Sequence, residues 1–216
     1  MRSVEEHQRV VAELIAARPA QRVGLAEAGG LVRAADVDAP LSLPMFDNSA
    51  MDGYAVHAAD VAGATADNPV SLPVAEDIPA GRTDALTLAP GTAHRIMTGA
   101  PLPAGATAIV PVEATDAGGQ ERSDPGKWSS TDLVEIRTAS KEGQHIRRAG
   151  EDVTAGTTVL RAGQLITPAA LGLAAALGIG ELTVVPRQRV RVMSTGAELV
   201  SAGTELKPGQ IYESNA

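Results

Sequence analysis

The segment from residue 43 to residue 56, which reads LPMFDNSAMDGYAV, gathers several side chains that could take part in chemistry. Asp47 and Asp52 supply two carboxylates, and Asn48 and Ser49 add an amide and a hydroxyl. The glycine after Asp52 has no Cβ, so a ligand could approach the backbone closely there. By chemistry alone, the two carboxylates could serve a metal-dependent hydrolase, since hard cations prefer oxygen ligands. An ordinary polar turn ahead of a strand explains the same composition.

The segment from residue 95 to residue 105, which reads RIMTGAPLPAG, contains a second candidate. Thr98 and Gly99 end a predicted strand, and prolines stiffen the chain that follows them. We therefore expect the Thr98 hydroxyl and the nearby N–H groups to keep a fixed direction. A rigid turn without a ligand also accounts for this pattern.

Two adjacent arginines, Arg147 and Arg148, lie in a third polar segment from residue 144 to residue 153. Guanidinium groups bind phosphate and carboxylate groups well, so either arginine could contact an anionic ligand. The neighbouring Glu151 and Asp152 leave a second interpretation open, in which all four side chains form a solvated charge cluster.

The fourth candidate is a polar loop after a predicted buried strand at residues 190–193. The loop contains Ser194, Thr195, Gly196 and Glu198. A buried strand followed by such a loop is typical of the start of a doubly wound α/β domain, where ligands lie beyond the carboxyl ends of strands. One strand cannot complete such a domain, because parallel strands need crossover helices and further strands. The sequence is therefore interpreted as a fragment, or as a chain whose remainder is not included.

Local patterns predict the elements that position these residues. Ser3 and Glu6 have the spacing of a capping box, and the apolar periodicity that follows predicts a helix of about four turns, closed by Pro19. Thr167 and Pro168 predict the start of a later helix that ends at Gly178. Frequent Gly and Pro predict a small antiparallel barrel or sandwich in the middle of the chain. Its strands are expected at residues 54–56, 70–74, 92–97, 107–112 and 133–136, with further strands at 182–185 and 190–193, and a short helix is expected at 25–28.

Composition excludes several classes of function. The 216 residues suit one or two domains, and 44% hydrophobic residues with 2% aromatics predict a core of small aliphatic side chains. The net charge of −8 argues against a nucleic-acid-binding surface and against anchoring to an anionic membrane. The chain has no cysteine, so disulfides and thiolate metal sites are excluded. Without an apolar signal region or a membrane-spanning run, we expect a cytoplasmic protein.

Taken together, the four polar segments resemble the signatures of the molybdopterin molybdenumtransferases of molybdenum cofactor biosynthesis, to which the gephyrin E domain is similar. The segment at residues 43–56 carries most of this resemblance. Two positions depart from the family pattern. Thr107 stands where an aspartate is usual, and Ala197 stands where an acidic residue precedes Glu198. The resemblance covers about the N-terminal half of a family member.

The resemblance implies a multidomain α+β fold. A discontinuous helix and strand domain, residues 1–45 and 143–185, would mediate dimerisation. A small β-barrel-like domain, residues 46–142, would be inserted within it. Residues 186–216 would begin a doubly wound α/β domain that binds molybdopterin. The implied assembly is an elongated homodimer.

The implied reaction inserts molybdate, the substrate, into adenylylated molybdopterin and releases AMP. The resemblance assigns catalytic roles to Asp52, Thr98 and Glu198, with Asp52 and Glu198 as ligands of Mg²⁺. The implied substrate contacts are Asn48, Ser49, Gly99, Ser194, Thr195, Gly196 and Arg147. Further implied partners are the preceding adenylyltransferase and the recipient molybdoenzymes. The alternative is a non-catalytic dimerising scaffold of the gephyrin type, and the chain as written is expected to be inactive.

Overall fold

The computed structural model describes residues 2–16, 18–117 and 133–215. Its α-helices are α1 (Val4–Leu14), α2 (Leu25–Ala28) and α3 (Pro168–Ala176), and two short 3₁₀ turns cover Ala58–Val61 and Val112–Ala114. Within the described ranges, no helix has the length and apolar character needed to cross a membrane.

Within these described residues, fourteen strands account for most of the remaining regular structure. In chain order they are β1 Gln21–Gly24, β2 Val32–Arg33, β3 Val37–Asp38, β4 Asn48–Ser49, β5 Gly53–Val56, β6 Val70–Ile78, β7 Ala93–Ile96, β8 Ala108–Pro111, β9 Leu133–Ile136, β10 Ile146–Arg147, β11 Thr158–Leu160, β12 Glu181–Val185, β13 Leu199–Val200 and β14 Ile211–Tyr212.

Helix α1 begins where the capping box predicts. The Ser3 hydroxyl accepts from the backbone N–H of Glu6 at 3.2 Å, and the Ser3 N–H donates to the Glu6 carboxylate at 2.9 Å. The helix ends at Leu14, so the predicted extension to Pro19 was wrong. Ile15 is already extended, and its N–H turns back to the carbonyl of Ala12.

Contact clustering divides the chain into two compact units. Unit 1 comprises Met1–Asp36, Arg161–Ala175 and Ile179–Ala216. It contains an antiparallel sheet with the strand order β1-β12-β2. Helix α3 starts as predicted, because the Thr167 hydroxyl accepts from the N–H of Ala170 at 3.2 Å.

Unit 2 comprises Val37–Leu160 and Ala176–Gly178 and contains a five-stranded sheet with the order β8-β5-β7-β6-β9. The strands predicted in this region are confirmed, although β6 continues past residue 74 to Ile78. The expectation of a wholly antiparallel sheet was wrong, because β6 and β7 are parallel. The connection between them therefore crosses over instead of forming a hairpin. The mixed α+β character is confirmed, whereas the domain boundaries given above remain predictions.

The sheet of unit 2 is buried on both faces. Side chains alternate along β5, so Tyr54 and Val56 join one apolar cluster while Ala55 joins the other. The first cluster also includes Leu72, Val74, Ala93, Val110, Val134 and Ile136, and the second includes Ile78, Ile96, Ala100 and Ile109. This double burial fixes β5 and β7, whose ends carry the candidate catalytic residues.

The strand predicted at residues 190–193 was wrong. These residues have no regular structure, and Val190 and Met193 expose 82% and 78% of their surface. Within the described part of the chain, no neighbouring strand pairs with this segment. A strand of the predicted buried kind needs such pairing to satisfy its backbone groups. The only parallel pair described in this region joins β13 to β14.

His94, on β7, gives the fold a dependence on pH. Its side chain is 2% exposed, and its Nδ1 has no hydrogen-bond partner among the described residues. Burial lowers the pKa of His94 from its ordinary value, with Glu76 opposing this shift and Arg82 adding to it. In the unfolded chain, His94 therefore binds a proton as the pH falls to about 6.5, whereas in the folded chain it stays neutral until a lower pH.

We expect the free energy of unfolding to fall as the pH drops below about 6.5, and to continue falling until the lowered pKa is reached. A His94→Gln variant should lose this part of the slope. Urea denaturation of both proteins between pH 5 and pH 8 measures the effect. Parallel stability curves would contradict the assignment.

Candidate active site

Asp52 and Thr98 form a hydrogen-bonded pair at one end of the unit 2 sheet. The antiparallel register of β5 and β7 places Gly53 opposite Ile96, so the residues just outside these strand ends lie side by side. Oδ1 of Asp52 accepts from the backbone N–H of Thr98 at 2.7 Å and from its hydroxyl at 2.8 Å. Both side chains are exposed to solvent. The structure thus brings together two residues that are far apart in the sequence.

As expected, the backbone N–H and the hydroxyl of Thr98 keep a fixed direction, since both donate to Asp52. The next residue, Gly99, has a φ of +79°, a conformation that favours glycine. Its N–H donates to the carbonyl of Ser49 at 2.8 Å. The turn after Thr98 is therefore attached to the loop that carries Asp52.

Asn48 and Ser49 are buried, with 5% and 0% of their surfaces exposed. The Asn48 amide donates to the carbonyl of Phe46 at 3.0 Å, and the Ser49 hydroxyl donates to the carbonyl of Met51 at 2.5 Å. These side chains hold the loop in shape. Their predicted contact with substrate stays a prediction.

Asp47 binds a segment that follows it by about a hundred residues. Its carboxylate accepts from the backbone N–H of Ala149 at 2.8 Å and from Nη1 of Arg148 at 2.6 Å. Within the described ranges, no three His, Asp or Glu side chains lie close enough together to hold a metal ion, around Asp47 or elsewhere. The Asp47 carboxylate is thus bound by Arg148 and Ala149, and the hydrolase alternative, which needs Asp47 and Asp52 as metal ligands, stays a hypothesis.

Asp47 also makes the stability of unit 2 sensitive to acid. The N–H of Ala149 and the guanidinium of Arg148 hold the pKa of Asp47 below its ordinary value. This contribution is fully present above the unfolded pKa of about 4, and it is lost as the pH falls through the lower folded pKa.

Asp47→Asn should therefore lower the free energy of unfolding by about 1 kcal/mol at pH 7, a modest value because the ion pair is exposed. The difference from the wild type should shrink as the pH falls below about 4. Chemical denaturation at pH 7 and near pH 3 measures it. An equal difference at both pH values would contradict the role of the Asp47 charge.

The two arginines of the third segment are not equivalent. Arg148 is bound by Asp47. Arg147 lies on β10 and is exposed, and no hydrogen bond or ion pair of its side chain occurs among the described residues. Among the described residues, only Arg148 of this pair therefore has a side-chain partner, and the predicted contact of Arg147 with substrate stays a prediction.

Ser194, Thr195, Gly196 and Glu198 belong to unit 1 and are exposed. The N–H of Leu199 bonds to the carbonyl of Gly196, and the carbonyl of Glu198 accepts from Ile211 at 2.8 Å. These bonds shape the loop locally. The catalytic role of Glu198 and the substrate contacts of its neighbours stay predictions.

The structure provides only part of what a magnesium site needs. The carboxylate of Asp52 is the kind of oxygen donor that Mg²⁺ prefers. The described ranges nevertheless contain no group of three or more potential ligand side chains. These ranges alone therefore do not form a complete magnesium site.

Sequence reasoning missed His145, which lies beside the Asp52 loop. It is the one non-glycine residue with positive φ in the described structure, at 58°. Its carbonyl accepts from the N–H of Ala50 at 2.9 Å. Glycine is the strong signal for this conformation, and histidine, although enriched there relative to most other side chains, is only a weak signal.

Comparisons with known proteins point to one family. The family described as "MoeA N-terminal region (domain I and II)" matches residues 2–178. A protein named molybdopterin molybdenumtransferase 2 from Mycobacterium tuberculosis is 67% identical over 216 residues, covering 100% of this chain and 50% of the relative. A molybdopterin molybdenumtransferase from Synechococcus elongatus is 44% identical over 197 residues, covering 90% of this chain and 46% of that protein.

Solved structures agree with this result. A crystal structure of the molybdopterin biosynthesis moeA protein from Pyrococcus horikoshii OT3 has a TM-score of 0.75 and 30% identity, covering 99% of this chain and 54% of that one. Another structure of a moeA protein from the same species has a TM-score of 0.67 and 31% identity. The chain spans about half the length of the curated relatives that it matches. On these grounds, together with the signature segments, the chain belongs to the molybdopterin molybdenumtransferase family.

Proposed function

We propose that this chain forms part of an enzyme that inserts molybdate into adenylylated molybdopterin and releases AMP, in the cytoplasm. Family membership supports this function. The observation that carries it is the Asp52–Thr98 pair, in which one carboxylate oxygen accepts two hydrogen bonds at 2.7 Å and 2.8 Å on an exposed surface. The two residues come from two separate segments that both resemble family signatures.

The pair suits a reaction that must orient a charged group. Thr98 holds the carboxylate of Asp52 through two donors, which restricts its rotation and fixes the direction of its oxygens. Asp52 then acts as the acid or base at the phosphoanhydride bond whose cleavage releases AMP. Both donors of Thr98 contact Asp52, so Thr98 is assigned the role of orienting that carboxylate. Thr98 is also proposed to position an oxyanion of the substrate during the reaction.

Arg147 is assigned to the anionic part of the substrate. Its guanidinium has no partner among the described residues, and an arginine fork matches phosphate oxygens well. Asn48, Ser49, Gly99, Ser194, Thr195 and Gly196 are retained as proposed substrate contacts. Glu198 is retained as a second acidic group.

Breaking the phosphoanhydride and binding molybdate bring several negative charges together, and Mg²⁺ would supply the compensating positive charge when bound. Asp52 in unit 2 and Glu198 in unit 1 are each retained as a proposed carboxylate ligand of Mg²⁺. The preceding adenylyltransferase and the recipient molybdoenzymes are proposed as partners in supply and delivery.

The protein is further proposed to act as a homodimer. Helix α1 buries none of its residues, and Val4 and Leu14 expose 69% and 79% of their surfaces. Val11, which is 42% exposed, lies between them at helical spacing, so the three side chains share one face, and a contiguous exposed apolar surface marks an interaction site. Sedimentation equilibrium of the full-length protein tests this point.

The enzyme and the scaffold of the gephyrin type are separated by a stoichiometric assay. Full-length protein carrying this chain is incubated with adenylylated molybdopterin, Mg²⁺ and molybdate. The enzyme is expected to bind one molybdenum to the pterin for each AMP released. No AMP release would favour the scaffold, which is non-catalytic. AMP release without molybdenum transfer would indicate hydrolysis and would contradict both.

A further inference from the structure

Asp47 lies where three separate segments of unit 2 meet. Its carboxylate accepts from Ala149 and Arg148, at 2.8 Å and 2.6 Å. Its backbone carbonyl accepts from the N–H of Leu102 at 2.9 Å, in the segment that continues from Thr98. One residue thus joins the Asp52 loop to both of the other candidate segments in this unit.

The strand that begins just after Asp47 determines where Arg147 projects. In the antiparallel pair of β4 and β10, Asn48 lies opposite Arg147 and Ser49 lies opposite Ile146. Ile146 packs against the second apolar cluster. Because successive side chains of a strand point to opposite faces, Arg147 projects away from that cluster, into solvent.

The bonds of Asp47 close this pairing at its end. The carboxylate captures the N–H of Ala149, two residues beyond Arg147, and also captures the side chain of Arg148. The segment that carries Arg147 is therefore held at consecutive points, first by its pairing with β4 and then by the carboxylate of Asp47. Because its guanidinium is bound by Asp47, Arg148 does not compete with Arg147 for an anionic ligand.

We propose that Asp47 is a positioning residue, which acts on substrate binding by fixing the backbone and side-chain direction of Arg147. This inference rests on the proposed function, because that function assigns Arg147 to the anionic substrate. Asp47 itself does not contact substrate. Each of its two carboxylate oxygens instead accepts one hydrogen bond within the fold, Oδ1 from Ala149 and Oδ2 from Arg148.

The test uses full-length protein carrying this chain, with Asp47→Asn, Arg147→Gln and the double substitution. Steady-state AMP release is measured against the concentration of adenylylated molybdopterin at saturating molybdate. Loss of a charge-assisted contact made equally in ground state and transition state should raise KM by about tenfold. Each single variant should show this increase, with kcat within about twofold of the wild type. The double variant should resemble Arg147→Gln alone, because both changes remove the same contact.

Asp60→Asn is the matched control. Asp60 also accepts from a backbone N–H, that of Gly91 at 2.7 Å, and its substitution changes the net charge equally. Its KM should remain that of the wild type. Independent of activity, amide exchange at Ala149 should accelerate in Asp47→Asn and not in Asp60→Asn.

Several outcomes would overturn the inference. KM effects of Asp47→Asn and Arg147→Gln that multiply in the double variant would show that Asp47 acts independently of Arg147. An unchanged KM in either single variant, or unchanged exchange at Ala149, would equally overturn it. These results leave the proposed function intact as long as the wild type releases AMP with molybdate. A wild type without this activity would remove the proposed function and the inference with it.

Discussion

Replacing Asp52 by alanine in the full-length protein is expected to reduce molybdate-dependent AMP release by at least about 100-fold, the usual scale for losing an acid or base. The reason is geometric as well as chemical. The carboxylate is held by two donors of Thr98 and is exposed, so it is oriented yet accessible to substrate. Alanine removes the oxygens without adding bulk.

The folded structure should survive this change. Asp52 is exposed, and its backbone carbonyl still accepts from Val112 at 3.0 Å in the variant. Thermal denaturation of the variant should therefore remain close to the wild type, within about 1 kcal/mol of stability. Asp60→Ala is the control for removing an aspartate of the same unit that also accepts a hydrogen bond from a backbone N–H. Retained activity in a folded Asp52→Ala protein would remove Asp52 from the active site.

Gly53→Ala is the substitution with the largest expected effect on stability. A Cβ at this position would lie 2.0 Å from the carbonyl oxygen of Val110 and 2.9 Å from its carbonyl carbon. These atoms belong to the backbone of β8, which pairs with β5 on the buried sheet. The two strands would have to separate, so we expect a loss of more than about 3 kcal/mol in the free energy of unfolding.

Gly63→Ala provides the matched control, because a Cβ there has no atom within 4 Å and its φ is not positive. Its stability should stay within about 1 kcal/mol of the wild type. Urea denaturation of the 216-residue chain compares the two variants. Gly53→Ala with wild-type stability would mean that β5 and β8 do not pair as described.

Gly53 also links stability to function. It follows Asp52 directly, so displacement of β5 would move Asp52 relative to Thr98. The glycine within the signature segment is thus required by the close approach of β8. The sequence analysis related this glycine to ligand access, and the structure supplies a packing reason.

Features governed by local rules could be predicted from the sequence. Ser3 and Glu6 begin a helix because their side chains satisfy nearby backbone N–H groups, which depends only on neighbours in the chain. Thr167 and Pro168 begin α3 for the same kind of reason. The strands of unit 2 followed from short apolar runs bounded by Gly and Pro.

Features governed by distant contacts could not be predicted in this way. Asp47 looked equivalent to Asp52 as a possible metal ligand, and only the fold brings Arg148 and Ala149 to its carboxylate. The parallel pairing of β6 with β7 depends on a crossover that local patterns do not encode. The apolar run at residues 190–193 read as a strand, but a strand forms only where a neighbour pairs with it.

The candidate site was found by resemblance more than by physics. The residues of the four segments each allowed an ordinary structural explanation, and the family signature favoured a catalytic one. The structure adds the pairing of Asp52 with Thr98 and separates Arg147 from Arg148. These distinctions depend on register and hydrogen bonding, which a signature does not contain.

The role of this chain in a molybdenumtransferase is tested most directly by the rate of AMP release from adenylylated molybdopterin by the full-length wild-type protein, with and without molybdate. We expect rapid release that requires molybdate, and loss of that release in the folded Asp52→Ala variant. Release that ignores molybdate, or that persists without the Asp52 carboxylate, would contradict that role.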